Sequence, residues 1–255
     1  MSAGEVLVLG SGTSNGVPML GVRYPKEFLA NPKNHRCRTC VVIRGPNGNL
    51  LVDCPPELRL LLTGAEIYDV EAVLITHSHA DHVMGMDDLR SFSMISGRPV
   101  RVYANEGTQE DIRRIFPYAF KEMPGGIAVP RFDLQPAPSV LSVGGLEVRI
   151  LEVRHGGMPV LGFRVGACAY LTDLNEIPAA ARSELDGLET LVLDAVRVKP
   201  HPTHYHLEAA LEVAAEIGAR RTYLTHLSHD FDHDVTNRSL PAGVELAYDG
   251  LVIGL

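Results

Sequence analysis

At 255 residues, with 45% hydrophobic and 21% charged side chains, the chain has the balance of a globular protein that can bury a substantial core. Its net charge of −8, with no run of Lys or Arg, tells against a dedicated nucleic-acid surface, because affinity for a phosphate backbone comes from clustered cations. No segment approaches about eighteen uninterrupted apolar residues, so no membrane-spanning helix is expected.

The N-terminus passes at once into a strand-like run, Val6–Leu9, without a basic leader, which argues against a signal peptide. The glycine-rich stretch from Leu9 to Pro18 follows, and Gly10, Gly12 and Gly16 allow a tight turn and a close backbone approach. Cys37, Cys40, Cys54 and Cys168 form no disulfide framework, so a reduced, cytoplasmic setting is expected. The C-x-x-C of Cys37 and Cys40 has no second cysteine pair to complete a zinc knuckle.

Further strand-like runs are Val41–Arg44, Leu50–Asp53, Ala72–Thr76, Val100–Tyr103, Val148–Val153, Leu161–Val165, Ala169–Thr172, Thr190–Leu193, Arg221–Thr225 and Leu251–Ile253. Pro46 to Asn49 reads as a hairpin turn. Helices are expected from Pro55 to Thr63, from Glu106 to Ile115 and from Leu207 to Ile217, the first and last stopping at Gly64 and Gly218. Runs of strands followed by helices in both halves predict two packed sheets flanked by helices, in one domain over residues 1–255.

The densest chemistry lies at Thr76 to His82, a T-H-x-H-x-D-H run directly after an apolar strand. Three imidazoles and a carboxylate within six residues are costly to bury unless paired or metal-bound, and alternate side chains can reach two nearby points. His155, Asp173 and His226 each follow another strand-like run, where rigid elements can bring them to one sheet edge.

These residues, in this order and with Asp53 ending an early strand, resemble the metallo-β-lactamase superfamily over nearly the whole chain. The resemblance implies an α/β fold, the four-layer αββα sandwich, with a binuclear centre at the sheet edges. It implies that His77, His79 and His155 bind a first metal, that Asp81, His82 and His226 bind a second, that Asp173 bridges them, and that Asp53 orients neighbouring groups. The cofactors expected are two divalent ions, zinc or manganese first and iron or nickel as alternatives. The reaction expected is hydrolysis by a water activated between the ions, which Asp81 also positions.

The glycine-rich loop is similar to that of the tRNase Z and cyclic-phosphodiesterase branch. The Leu224–Asp232 stretch, with His204, resembles the C–P lyase pathway enzyme that opens a ribosyl 1,2-cyclic phosphate. That comparison makes His204 the candidate general acid, with His206 the competitor. That relative also has a cysteine-rich structural zinc site; Gly21 to Phe28 holds no cysteine here, so His229 is left to cap or orient the His226 loop. Arg36 and Arg38 read equally as phosphate-facing cations or as solvated loop residues.

The expected substrate is a small cyclic or nucleotide-like phosphate ester. A tRNA 3′-processing nuclease and a pyrroloquinoline-quinone biosynthesis-type oxidative or carrier protein are the alternatives. Against the nuclease, the candidate insertion Asn105–Pro138 is short and carries only Arg113, Arg114, Lys121 and Arg131 as cations. Relatives of this kind are commonly dimers, which makes Glu27–Asn34 and Phe116–Pro130 candidate homodimer surfaces.

Overall fold

Along the first strand Val6 and Val8 face one core while Leu7 and Leu9 face another, and all four are buried. A sheet apolar on both faces must be covered on both, and that requirement organises the fold. The computed structural model describes residues 4–121 and 127–255. Six strands open the chain: β1 (Glu5–Gly10), β2 (Cys40–Gly45), β3 (Gly48–Val52), β4 (Ala72–Leu74), β5 (Val100–Ala104) and β6 (Phe132–Pro136). Then come β7 (Val140–Val143), β8 (Leu146–His155), β9 (Met158–Val165), β10 (Cys168–Leu171), β11 (Thr190–Asp194), β12 (Arg221–Thr225) and β13 (Val244–Leu246). A last strand, β14 (Val252–Gly254), returns to pair antiparallel with β1. The first sheet runs β14-β1-β2-β3-β4-β5-β6 and the second β13-β12-β11-β10-β9-β8-β7.

Between the sheets lie Val8, Ile43, Leu50 and Leu74 from the first and Val148, Phe163, Val165 and Tyr170 from the second. Outside the first sheet, α2 (Leu58–Gly64) and α5 (Glu106–Ile115) add Leu58, Leu62 and Ile112 to a second core. Outside the second sheet, α7 (Leu207–Ile217) contributes Ala210 against Leu191, Leu193 and Leu224. The layers are therefore αββα, as expected. Each fully buried Val, Leu or Phe contributes roughly 1.5–3 kcal/mol relative to exposure. The remaining helices, α1 (Lys26–Ala30), α3 (Ala80–Val83), α4 (Arg90–Ser96), α6 (Ala179–Arg182) and α8 (His233–Asn237), are one or two turns long. Among the described residues no helix is long and apolar enough to cross a membrane.

Two expectations need correction. The stretch from Asn105 to Pro138, read as a candidate insertion, belongs to the fold itself: its described residues build α5 and then β6, which pairs parallel with β5 as an edge strand. Residues 122–126, part of the candidate interface Phe116–Pro130, lie outside the described residues. The prolines at 55 and 56 precede α2, which starts at Leu58; the Leu58 N–H donates to the Pro55 carbonyl in a turn.

All four cysteines are free, three of them buried. Burial pushes the Cys168 thiol up to about 12; burial, with Asp249 beside it, does the same for Cys37, and Cys40 and Cys54 lie well above the usual range. A thiol titrating near 12 is about 10⁻⁴ thiolate at pH 8, so nucleophilic attack is slow. The folded chain is expected to react sluggishly with a disulfide-exchange reagent at pH 8 and to release four equivalents once unfolded in guanidinium. A stoichiometric fast phase in the native protein would contradict this placement.

Candidate metal centre

Parallel-paired strands of both sheets, together with the antiparallel-paired β8, deliver their carboxyl ends to one crevice. Asp53 follows β3, the run from His77 to His82 follows β4, His155 ends β8, Asp173 follows β10 and His226 follows β12. Three of these residues turn the chain through the left-handed region, with φ of 64° at Asp53, 55° at Asp173 and 58° at His226. Such backbone costs about 1–3 kcal/mol per residue and persists only where the surroundings over-determine it. Among the described residues Glu66 is the only other non-glycine in that region.

The structure brings all the predicted ligands together. Asp81, His82, Asp173 and His226 are buried and offer ligand atoms within 4.8 Å of one another. His82 Nε2 lies 3.2 Å from Asp81 Oδ2 and 3.4 Å from Asp173 Oδ2, and His226 Nε2 lies 3.2 Å from Asp173 Oδ1. The other trio is looser, its ring centroids 4.5 Å (His77–His79), 5.1 Å (His79–His155) and 5.8 Å (His77–His155) apart, with His79 on the open side. Asp173 spans both groups, because Oδ1 also lies 3.9 Å from His77 Nε2.

The hydrogen bonds behind the rings decide which nitrogens face the crevice. His155 Nδ1 meets the Thr203 carbonyl at 2.7 Å and must donate, since a carbonyl only accepts. His82 Nδ1 meets Asp53 Oδ2 at 2.7 Å, and the Thr76 N–H donates to Asp53 Oδ1 at 2.8 Å. Asp53 thus sits behind His82, on the side away from the crevice. The Nε2 atoms of His77, His82 and His226 are buried without a hydrogen-bond partner among the described residues. Orphaned imidazole nitrogens ringed by carboxylate oxygens are a donor set that suits a divalent ion.

Electrostatics agrees. Burial pulls His82 down, but Asp173, Asp53 and Asp81 outweigh it and hold the ring well above its ordinary value. Burial likewise opposes protonation of His226, yet Asp173, Asp81 and Asp194 raise it to about 9. Burial, reinforced by His82, holds His77 well below the usual range, and burial also lowers His79 and His155. Burial pushes the Asp53 carboxyl up, against the donors of His82 and Thr76. The carboxylates demand cations, and a metal competes with protons for these imidazoles.

Beside the centre opens a cleft of about 420 Å³. Thr13, Ser14 and Asn15 of the glycine-rich loop line one part, His201 and His204 another, and His226 joins it to the ligands. A Cβ at Gly10 would sit 1.9 Å from the Arg38 carbonyl oxygen, so the loop can pass there only as glycine. His204 Nδ1 lies 2.9 Å from Asp194 Oδ2 and donates to it, leaving Nε2 free, and its ring stacks on His226 at 4.9 Å. His206 occupies the N-cap position of α7, where its side chain makes no capping hydrogen bond, and does not line the cleft.

Neither arginine lines the cleft, and Arg36 is not solvated either. Arg36 is 2% exposed, and Arg38 pairs with Glu57 at 2.9 Å while its Nε donates to the Ser14 carbonyl. The cations lining the cleft are Arg197 and Lys199, which sequence reasoning passed over. His229 also lines the cleft and packs edge-on against Tyr24 at 5.9 Å. Asp194 was missed as well, although it ends a strand as the ligands do; its Oδ2 takes His204 and the Leu174 N–H, and its Oδ1 lies 3.6 Å from His226 Nδ1.

Residues 48–227 match the family model described as Beta-lactamase superfamily domain, and the chain belongs to that superfamily. Over 250 residues it is 34% identical to an octanoyltransferase of Porphyromonas gingivalis, covering 96% of this chain and 50% of that protein. The chain thus spans half the length of that relative. It is 27% identical to a ribonuclease Z of Methanopyrus kandleri over 278 residues, which covers 88% of this chain and 94% of that one. Among solved structures, a new diphosphatase from the PhnP family superposes with a TM-score of 0.90 at 38% identity, over 99% of this chain and 98% of that one. Zinc-bound PqqB from Methylobacterium extorquens shares the fold with a TM-score of 0.78 at 18% identity, over 98% and 100% of the two chains.

Proposed function

We propose that the chain is a binuclear metal-dependent phosphodiesterase that cleaves a small cyclic or nucleotide-like phosphate ester. The observation that carries this reading is His204, held by Asp194 and facing a cleft whose other end is the His/Asp centre. His77, His79 and His155 would hold one ion, Asp81, His82 and His226 the other, and Asp173 would be shared. Two such ions lower the pKa of a water and stabilise charge on the attacking and leaving oxygens.

Asp81, beside His82 and His226, accepts a hydrogen bond from the attacking water and so orients it. His204 uses Nδ1–H to anchor itself on Asp194 and turns Nε2 to the cleft, where it protonates the departing oxygen. Arg197 and Lys199 bring positive charge to a cleft that would otherwise repel a phosphate.

The similarities to a diphosphatase and to ribonuclease Z support phosphoester chemistry. The octanoyltransferase is twice as long as this chain, so its activity is not carried over to the matched half. The cleft volume favours a small ester over tRNA, and among the described residues no arm rich in Gly and Lys leaves the fold.

Bis(p-nitrophenyl) phosphate tests the reading directly. The metal-stripped chain is expected to be inactive and to release nitrophenolate after reloading with zinc, manganese or iron. Two bound ions per chain without release under any metal would overturn the phosphodiesterase assignment.

A further inference from the structure

Thr76 touches more of the centre than any residue outside the ligand set. Its Oγ1 lies 2.9 Å from Asp53 Oδ2 and 3.1 Å from Asp53 Oδ1, and also 3.1 Å from His77 Nδ1 and 3.3 Å from His82 Nδ1. Thr76, Asp53, His77 and His82 are all 0% exposed, so no solvent competes for these contacts. A hydroxyl carries one hydrogen, and a carboxylate can only accept. The hydrogen of Thr76 therefore goes to Asp53, and the contact with His77 uses an oxygen lone pair. His77 must then carry its own proton on Nδ1, and its Nε2 is the bare nitrogen that faces the crevice without a partner.

The same carboxylate fixes His82, whose Nδ1 lies 2.7 Å from Asp53 Oδ2. His77 belongs to the looser trio and His82 to the tight quartet, so a single buried network reaches both halves of the centre. We propose that the Thr76 hydroxyl is a positioning group that ties these halves together, fixing His77 in its Nδ1–H form through the carboxylate that fixes His82. This inference rests on the two-ion reading above. Thr76 touches no reacting atom and acts through His77.

The backbone around Thr76 does not depend on its hydroxyl. The Thr76 N–H is held by Asp53 Oδ1, and the Leu161 N–H donates to the Thr76 carbonyl from the opposite sheet. Thr76→Val thus removes one oxygen and keeps the branched shape, leaving the His77 Nδ1–H without an acceptor and the ring free to change tautomer. Loss of a group that orients a metal-binding histidine typically costs about 10–100-fold in metal affinity.

The test is a zinc titration of the metal-stripped chain against a chromophoric chelator. Wild type is expected to take two ions. T76V is expected to bind one about 10–100-fold more weakly and the other within about threefold, with T76S restoring both. Equal binding by T76V and wild type would overturn the assignment, as would equal weakening of both ions accompanied by a fall in melting temperature, the mark of a merely structural residue. Should T76V fail to fold, long-range ¹H–¹⁵N correlation spectra of the zinc-loaded wild type decide the matter. A proton on His77 Nδ1 supports the inference and one on Nε2 overturns it. A wild type that takes a single ion refutes the two-ion reading, while the proton position at His77 still judges Thr76 on its own.

Discussion

Asp173→Ala is expected to bind less than the full complement of zinc and to lose turnover of bis(p-nitrophenyl) phosphate by on the order of 10²–10³-fold, the scale seen when a group that stabilises transition-state charge is removed. The reason is placement. Oδ1 of Asp173 lies 3.2 Å from His226 Nε2 and 3.9 Å from His77 Nε2, and Oδ2 lies 3.4 Å from His82 Nε2, so one carboxylate faces both ligand groups. Thr172 Oγ1 donates to Oδ2 at 2.7 Å and helps to hold it there. Alanine adds a second cost, because φ at this position is 55° and a simple side chain is strained there by about 1–2 kcal/mol. Asp173→Asn separates the two effects. Asparagine tolerates this backbone and keeps the size but removes the charge. It is expected to melt closer to wild type than the alanine variant and still to lose metal and turnover. Metal analysis after dialysis, melting curves and rates check all three statements; an Asn variant with two tightly held ions and normal turnover would show that Asp173 does not bridge.

The candidate ligands stood out in the sequence for a reason specific to metal chemistry. Imidazoles and carboxylates at His77, His79, Asp81 and His82 have no packing explanation, and His155, Asp173 and His226 repeat one pattern, a polar residue after an apolar run. Most strands were legible because they are buried on both faces and almost wholly aliphatic, whereas β8 alternates buried apolar residues with exposed charged ones. Strands β6, β7 and β13 escaped because they are edge or near-edge strands of three to five residues, and β6 reads Phe-Asp-Leu-Gln-Pro, with polar residues and a proline that an interior strand would not tolerate.

What sequence could not resolve were contacts made across the fold. Asp194 ends β11 directly after three aliphatic residues, but its value lies in meeting His204, ten residues on, and His226, thirty-two residues on. Arg36 looked like a residue for the mouth of the site because a loop arginine is ordinarily solvated. Instead its segment pairs with Val17 of the glycine-rich loop, which seals it from solvent. The strain at Asp53, Asp173 and His226 was equally invisible, since no local signal predicts a left-handed turn at an Asp or His that ends a strand. The centre concentrates these costs on residues whose side chains converge, and surrounding layers with fully buried aliphatic side chains hold them in place.

His204→Ala is expected to retain both ions and still lose catalysis, and the loss depends on the leaving group. The ring stands outside the quartet of Asp81, His82, Asp173 and His226, so truncating it removes none of those ligand atoms. It contacts the ring faces of His155, at 4.4 Å, and of His226, at 4.9 Å, so the variant opens space beside two ligands without freeing either from its strand. General-acid assistance is typically worth about 10²–10⁴-fold. That whole factor is expected for a diester with an alkyl leaving group, whose oxygen cannot depart as a strong base without a proton. For p-nitrophenolate, which leaves without one, the loss is expected to shrink to roughly tenfold or less. Asp194→Asn probes the same step from behind. It removes the charge that holds His204 Nδ1–H while keeping a hydrogen-bond partner, so its defect should follow the same leaving-group order at smaller size. His206→Ala is the control, because His206 stands at the N-cap position of α7 without a side-chain capping bond and outside the cleft, so its loss should leave both substrates unaffected. The decisive comparison is the ratio of kcat/KM for alkyl and nitrophenyl esters across the three variants. If His204→Ala slows both substrates equally with two ions bound, the proton comes from another group and His204 serves to shape the cleft.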